Sequence, residues 1–170
     1  SLMKAVMPGF LLHEWRKRKF NPRLVEMGIT PTPARGPVEF LGSTYGGHAI
    51  DLASLNKDSV FYCLGAGLDI SFEEEVAKRT GCHVDIFDPT PRSVTWLQER
   101  LKSQSNPNPI GAQFTIHPIG IWSGDSSLKF YSPQNPEDVS YSLTNLQGTE
   151  EFIEVDCISL KSAMQRNKHS

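Results

Sequence analysis

The sequence lacks the features that place a protein in a membrane or on a nucleic acid. No apolar run approaches the roughly 20 residues that a membrane-spanning helix needs. The apolar stretch at residues 6–12 is too short and too broken for a secretory signal. Lysine and arginine number 17 against 19 aspartates and glutamates, and the net charge of -2 offers no basic surface for nucleic acid or an anionic membrane. We therefore expect a cytoplasmic protein with neither partner.

Cysteine is also scarce. The three cysteines, Cys63, Cys82 and Cys157, are widely separated and form no Cys-x-x-Cys pair. Two of them fall in predicted buried strands, which favours reduced core thiols over a disulfide or a metal site. No cluster of His, Cys and Asp has metal-ligand spacing, so no metal is predicted.

The composition suits one domain with an ordinary core. Of the 170 residues, 38% are hydrophobic and 21% are charged, which is typical of globular proteins. Residues 1–37 form a polar, basic lead that contains a predicted helix, Leu11–Phe20, and an extended proline-rich linker at 30–37. Residues 38–170 form the main domain, which opens with two short predicted strands around the glycine pair at 46–47.

The most regular pattern is a strand, a glycine turn, a helix and a second strand. Val60–Leu64 is a continuous apolar run of the length expected of a central parallel strand. Ser71 and Glu74 fit a capping box at the start of a helix that ends before Gly81. The second strand is His83–Phe87.

Further elements continue this alternation. They are a helix that begins at Pro91 and ends before Asn106–Pro109, a third strand at 112–119, strands at 127–131 and 152–155 joined by a polar loop, and a helix at 159–166. The order predicts an α/β fold with a parallel sheet and helices on both faces. The hairpin-like region 121–155 interrupts the alternation, so we expect it at the sheet's edge or over its ligand end.

The glycine turn and an acid beyond it indicate a nucleoside ligand. Gly65 and Gly67 follow the first strand of this pattern, and Asp88, 21 residues beyond Gly67, follows the second. Rossmann-like sheets hold adenosine-bearing ligands in this way, because glycine lets the ligand approach the main chain and the acid can accept the ribose hydroxyl hydrogens.

The residues after the glycines favour one class of cofactor. A dinucleotide fingerprint has a third glycine where this chain has Ile70. Asp69 stands at the mouth of the helix, where a carboxylate repels a diphosphate and attracts an ammonium group. S-adenosylmethionine carries an ammonium and a sulfonium and no phosphate, so it is favoured over a nicotinamide dinucleotide. The structural alternatives are that Asp69 stabilises the helix N-terminus and that Asp88 forms a turn before Pro89.

Three motifs resemble a known family. Phe40-Leu-Gly-Ser-Thr-Tyr-Gly-Gly47, Leu64-Gly-Ala-Gly-Leu-Asp-Ile-Ser-Phe72 and Ile86-Phe-Asp-Pro-Thr-Pro91 resemble, in that order, the N-terminal half of FkbM-type methyltransferases, which are class I enzymes that use S-adenosylmethionine. The segment Ile119–Tyr131 is similar to the region after that family's third strand, where a β-hairpin is inserted. The resemblance covers roughly residues 38–165.

The resemblance implies a set of cofactor-binding positions. Asp88 matches the ribose-binding acid, Asp69 is placed as the partner of the ammonium, and the glycine turn lies beneath the amino-acid portion of the cofactor. The full set is Tyr45, Gly46, Gly65, Ala66, Gly67, Asp69, Asp88, Pro89, Ile119 and Gly120. No catalytic residue is assigned, and surface or strand-face roles are favoured for His48, His83, His117 and His169.

The expected activity is transfer of a methyl group from S-adenosylmethionine to a hydroxyl oxygen of a small molecule or sugar. The oxygen acceptor is implied by the resemblance alone. The alternatives are a nicotinamide- or flavin-dependent Rossmann oxidoreductase and a non-catalytic methyltransferase-like binding domain. Family members continue into a fourth strand beyond a helix like 159–166, so a truncated domain that lacks its C-terminal half is expected. If this chain were the whole domain, its first strand would form an exposed sheet edge, which predicts a homodimer or aggregation.

Overall fold

The computed structural model describes residues 36–103, 113–135, 138–145 and 147–169. The chain divides into two compact units, residues 1–34 and 35–170, and the described residues belong to the second. The predicted helix Leu11–Phe20, nearly all of the predicted linker and the predicted helix end at Asn106–Pro109 lie outside them.

The described residues form eight β-strands and three α-helices. In chain order these are β1 (Val38–Leu41), β2 (His48–Asp51), β3 (Val60–Leu64), α1 (Ser71–Thr80), β4 (His83–Phe87), α2 (Pro91–Ser103), β5 (Phe114–His117), β6 (Gly120–Trp122), β7 (Ser126–Tyr131), β8 (Phe152–Ser159) and α3 (Leu160–Arg166), with a 3-10 helix, Leu52–Ser54, after β2. The fold is mixed α/β, as the order of predicted elements indicated. In this part of the chain no helix is long and apolar enough to cross a membrane.

Strands β3, β4 and β5 form a parallel sheet with β4 in the centre. Strand β4 is buried from Val84 to Phe87, because it has a neighbour on each edge and side chains packed on each face. Val84 and Ile86 point to one face and join a core cluster that includes Val76 of α1 and Leu97 of α2. Two helices therefore cover this face of the sheet.

The opposite face carries a second apolar cluster. Phe87, whose side chain points away from that of Ile86, packs there with Ile158 of β8 and Ala163 of α3. Tyr62 of β3 lies on the same face, and its hydroxyl is 2.6 Å from Nδ1 of His169, just beyond α3. Because α3 packs on this face and the other two helices on the first, helices lie on both faces, as predicted.

A second sheet has the order β6-β8-β7, in which β6 is parallel and β7 antiparallel to β8. The predicted antiparallel pair is therefore present, with β8 longer than expected because it has a partner on each edge. Strand β6 was not predicted. The predicted third strand at 112–119 ends at His117 instead, since Pro118 supplies no N–H for the ladder.

Strands β1 and β2 form an antiparallel hairpin around the turn at 42–47, in agreement with the sequence pattern. The turn is attached to the start of α1 by two hydrogen bonds. The Ser43 amide donates to Oγ of Ser71 at 2.7 Å, and the Gly42 amide donates to Oε2 of Glu75 at 2.7 Å. These contacts place the hairpin turn beside the glycine turn that follows β3.

The predicted capping box at Ser71 is wrong. The N-cap position is Ile70, which makes no side-chain cap, and Ser71 is the first helical residue. Its amide donates to Oδ1 of Asp69 at 2.9 Å, so the Asp69 carboxylate caps the helix N-terminus in place of the serine hydroxyl. That hydroxyl is instead used by Ser43.

Candidate ligand-binding cavity

A cavity of about 940 Å³ lies where β3 and β4 end. Both strands run in the same direction, so their carboxyl ends meet at one edge of the sheet, where ligands of open α/β sheets bind. The volume falls within the range of small-molecule sites. The lining comes from the glycine turn, the hairpin turn, the start of α1, the end of β4, and the loop beyond β7.

The glycine turn after β3 needs glycine at two positions. Gly65 and Gly67 have φ of 83° and 59°, in the left-handed region that side chains with a Cβ rarely adopt. A Cβ on Gly65 would meet no atom within 4 Å, so open space lies beside it. A Cβ on Gly67 would meet a methyl group of Val139 at 3.4 Å. The main chain is therefore bare on its cavity side at Gly65 and covered by the loop beyond β7 at Gly67.

Asp88 is bound directly to this turn. Its Oδ2 accepts hydrogen bonds from the amides of Ala66 and Gly67, each at 3.0 Å, and its Oδ1 accepts one from Thr90 at 2.9 Å. The residue is 3% exposed. A carboxylate has about four acceptor positions, so the three bonds leave it room for about one hydroxyl hydrogen. No sugar ring fits between the acid and the turn, and in this arrangement Asp88 cannot accept both ribose hydroxyls.

Asp69 is also engaged by its surroundings. Its Oδ2 accepts a hydrogen bond from the Ser43 hydroxyl at 2.5 Å, and its Oδ1 accepts the Ser71 amide. Burial alone would raise the pKa of Asp69, but the hydrogen bonds from Ser43, Ser71 and Gly46 outweigh it and hold that pKa below its usual value. The carboxylate is therefore ionised at neutral pH and joins the hairpin turn to the helix start.

Glu73 is a third acid on the cavity wall, in the first turn of α1. It is 8% exposed and lies close enough to the buried thiol of Cys63 on β3 for each group to affect the pKa of the other. Burial and the nearby charge of Asp69 raise the pKa of Glu73, while Cys63 and His48 act in the opposite direction without cancelling that rise. Burial and the same carboxylate raise the pKa of the Cys63 thiol.

The loop beyond β7 completes the wall opposite the glycine turn. It contributes residues 138–141, which include Asp138 and Tyr141, and Phe130 of β7 lines the cavity beneath it. This arrangement places the insertion after the third strand over the ligand end of the sheet, one of the two positions expected for it. In the described part of the chain the charged lining residues are Asp69, Glu73, Asp88 and Asp138, and no lysine or arginine joins them.

The structure brings together eight of the ten residues that the sequence assigned to cofactor binding. Tyr45, Gly46, Gly65, Ala66, Gly67, Asp69, Asp88 and Pro89 line the cavity. Ile119 and Gly120 do not. Ile119 packs with the second apolar cluster, and a Cβ on Gly120 would meet Sγ of Cys157 at 2.6 Å, so Gly120 permits the close pairing of β6 with β8.

Several lining residues were not anticipated. Phe130 and residues 138–141 reach the cavity only because a distant segment folds onto it, and Leu68 lies within the glycine turn. His48, expected in a surface role, is exposed but lines the cavity as well. Glu73 carried a signal in the sequence, since it lies beside Phe72, Val76 and Ala77 on the buried face of α1, where an acid is unusual.

Comparison of the chain with protein-family models, with curated proteins and with solved structures found no match.

Proposed function

We propose that the cavity binds S-adenosylmethionine and that the protein transfers its methyl group to a hydroxyl oxygen of a small molecule or sugar. The β3-α1-β4-α2-β5 unit then serves as the Rossmann-like half-sheet of a class I methyltransferase. A cytoplasmic location, and the absence of a nucleic-acid or membrane partner, stay predictions from the sequence.

One observation carries the proposal. The cavity lies at the carboxyl ends of parallel strands, offers a bare glycine turn at Gly65, and within the described residues is lined by four acids and by no lysine or arginine. Such a lining suits a ligand that is a nucleoside and a cation at once. S-adenosylmethionine carries positive charge on its sulfonium and its ammonium.

The same lining disfavours a dinucleotide. A diphosphate is usually held by free amides at a helix N-terminus. Here the first amide of α1, that of Ser71, is taken by Asp69, and the amides of Ala66 and Gly67 are taken by Asp88. A diphosphate would therefore meet two carboxylates in place of free donors.

Bound S-adenosylmethionine supplies a methyl group on a positively charged sulfur. The chain's own residues contribute position and charge. Gly65 lets the ligand rest against the main chain, the acidic lining faces the positive charge, and the last acceptor position of Asp88 is available to one ribose hydroxyl. Phe130 and the loop at 138–141 restrict water on the opposite side, which favours in-line displacement at the methyl carbon.

Titration calorimetry with three ligands tests the proposal. S-adenosylmethionine and S-adenosylhomocysteine should bind the chain with dissociation constants well below millimolar, whereas NADH, which brings a diphosphate, should not bind. An acidic lining repels phosphate, so the difference between ligands should shrink as salt is raised.

The control variant is Asp138→Asn, which removes one charge from the exposed rim and leaves the glycine turn intact. It should weaken binding of the cationic ligand modestly, by about threefold or less. Absence of binding by both sulfur nucleosides at millimolar concentration, or preference for NADH, would overturn the proposal.

A further inference from the structure

Glu73 is a buried acid on a helix face that is otherwise apolar. It is 8% exposed, and it opens into the cavity. No salt bridge to a lysine or arginine is made by Glu73 within the described residues, whereas Glu74 pairs with Arg100 at 3.0 Å. A carboxylate buried without a cation normally destabilises the folded state.

The groups around Glu73 show what is missing from its environment. Within the described residues, the groups that act on its pKa are the thiol of Cys63 on β3, the imidazole of His48 on β2, the carboxylate of Asp69 beside the glycine turn, and the main-chain amide of Glu73 itself. The thiol is a weak donor, and Asp69 repels the ionised form. A cation on the cavity side is the partner that would satisfy Glu73.

Asp69 is less suited to that role than the sequence suggested. Its two oxygens already accept the Ser43 hydroxyl and the Ser71 amide, and these bonds join two segments of the fold. Among the groups that act on Glu73 in the described residues, the hydrogen-bond donors are the Cys63 thiol and the residue's own main-chain amide.

We infer that Glu73 is the positioning residue that receives the ammonium group of the bound ligand, and that Asp69 instead shapes the wall. This inference rests on the proposed function, since it assigns a role within the same cavity. An ammonium donates N–H hydrogen bonds to a carboxylate, which a sulfonium cannot do, so the ammonium is the matching group.

A consequence is that binding releases protons. In the free protein the raised pKa keeps part of Glu73 protonated above the usual titration range of glutamate. An incoming ammonium favours the ionised carboxylate and lowers that pKa again. The carboxyl proton passes to the buffer as the ion pair forms. The affinity for the ammonium-bearing ligand should therefore fall as pH falls through the pKa that Glu73 has in the free protein.

The experiment uses S-adenosylmethionine, S-adenosylhomocysteine and methylthioadenosine as probes of the full chain. The first two carry the ammonium and the third carries neither the ammonium nor the sulfonium. Glu73→Gln should weaken the first two by about tenfold or more and leave the third unchanged. Calorimetry in two buffers of different ionisation enthalpy should detect proton release by the unmodified chain with the first two ligands, and none with the Glu73→Gln variant.

A matched control is Glu99→Gln on α2, which is exposed and outside the cavity lining. It should alter neither affinity nor proton release.

If all three nucleosides bind the unmodified chain but Glu73→Gln keeps full affinity, the role of Glu73 is wrong while the proposed function stands. If only S-adenosylmethionine is weakened, the carboxylate faces the sulfonium and the assignment to the ammonium fails. If none of the three binds, the proposed function fails and this inference with it. Because proton release is measured on the unmodified chain, the test does not depend on folding of the variant.

Discussion

One oxygen of Asp88 accepts the main-chain amide of Gly67 at 3.0 Å, across 21 residues of sequence. The same oxygen accepts the amide of Ala66 at 3.0 Å. The end of β4 therefore holds the turn that ends β3, and the shape of the cavity floor depends on a single carboxylate. Main-chain amides therefore use three acceptor positions of Asp88, and about one is left for a ligand.

Replacing Asp88 by alanine should destabilise the fold as well as the site. Three main-chain amides lose a charged acceptor that is buried, since Asp88 is only 3% exposed. Leaving buried donors without partners costs about 2–4 kcal/mol in total once water reaches some of them. Urea unfolding followed by circular dichroism should show that loss.

Asp138→Ala is the control for Asp88→Ala, because it removes an exposed acid from the same cavity. Its free energy of unfolding should stay within about 0.5 kcal/mol of that of the unmodified chain. Equal stabilities for Asp88→Ala and Asp138→Ala would show that the hydrogen bonds of Asp88 contribute nothing, and the account of the cavity floor would have to be abandoned.

Gly46→Ala should disturb the acidic wall without touching the glycine turn. An added Cβ would lie 2.7 Å from Oδ2 of Asp69, the oxygen that accepts the Ser43 hydroxyl. The carboxylate must move, and we expect a loss of about 1–2 kcal/mol in unfolding free energy from the displaced hydrogen bond. Thermal unfolding measures it.

Gly124→Ala is the comparison for Gly46→Ala, since a Cβ at Gly124 would meet nothing within 4 Å and its φ is not left-handed. That change should leave the unfolding midpoint nearly unaltered. A Gly46→Ala variant as stable as Gly124→Ala would mean that Asp69 moves freely and that its hydrogen bond to Ser43 has no stabilising role.

Glu73→Gln should make the protein more stable at neutral pH while it weakens ligand binding. The folded state raises the pKa of Glu73 above its unfolded value of about 4.3. Below both values the acid is neutral in both states and costs nothing. As pH rises through the folded pKa, the buried charge lowers stability, and glutamine avoids that loss.

Thermal midpoints of Glu73→Gln and the unmodified chain should therefore converge near pH 4, separate as pH rises through the folded pKa of Glu73, and differ by a constant amount above it. Glu99→Gln, which alters an exposed acid, should show no such separation. A Glu73→Gln variant that is less stable at neutral pH would indicate that Glu73 supports the fold. Opposite signs for stability and affinity are expected of a residue retained for binding.

The sequence allowed the prediction of the elements whose signals are local. Strand β4 was placed with its observed bounds because a short segment with Val84, Ile86 and Phe87 is bounded by Gly81 and by Asp88 with Pro89. The predicted capping box failed because the amide of Ser71 donates to the Asp69 carboxylate, so that Ser71 is the first helical residue instead of the N-cap. Local pattern could not reveal that Ser43, 28 residues away, would use the Ser71 hydroxyl.

The candidate site was predictable to the same degree. The glycine turn and Asp88 were found because parallel strands bring their carboxyl ends to one edge. That Asp88 would bond the turn itself was not foreseen, since sequence spacing does not say whether two groups face a common ligand or each other. The cavity-lining role of Phe130 and of the loop at 138–141 depends on how the second sheet returns over the first, which no local pattern encodes.

Ser43→Ala should cost stability in a way that depends on pH. The Ser43 hydroxyl donates to Oδ2 of Asp69 and is one of the groups that hold the pKa of this acid below its usual value. A depressed folded pKa stabilises the protein above the unfolded value of about 3.9, and that gain disappears as pH falls through the folded pKa. At neutral pH the variant should lose about 1 kcal/mol of unfolding free energy, because the bond to the carboxylate is partly exposed. Its difference from the unmodified chain should shrink below about pH 3.5.

Ser54→Ala, which removes an exposed hydroxyl bonded to a main-chain carbonyl, should show a smaller effect without pH dependence. A loss for Ser43→Ala that is the same at every pH would assign the contribution of Ser43 to its turn alone and remove Asp69 from the explanation.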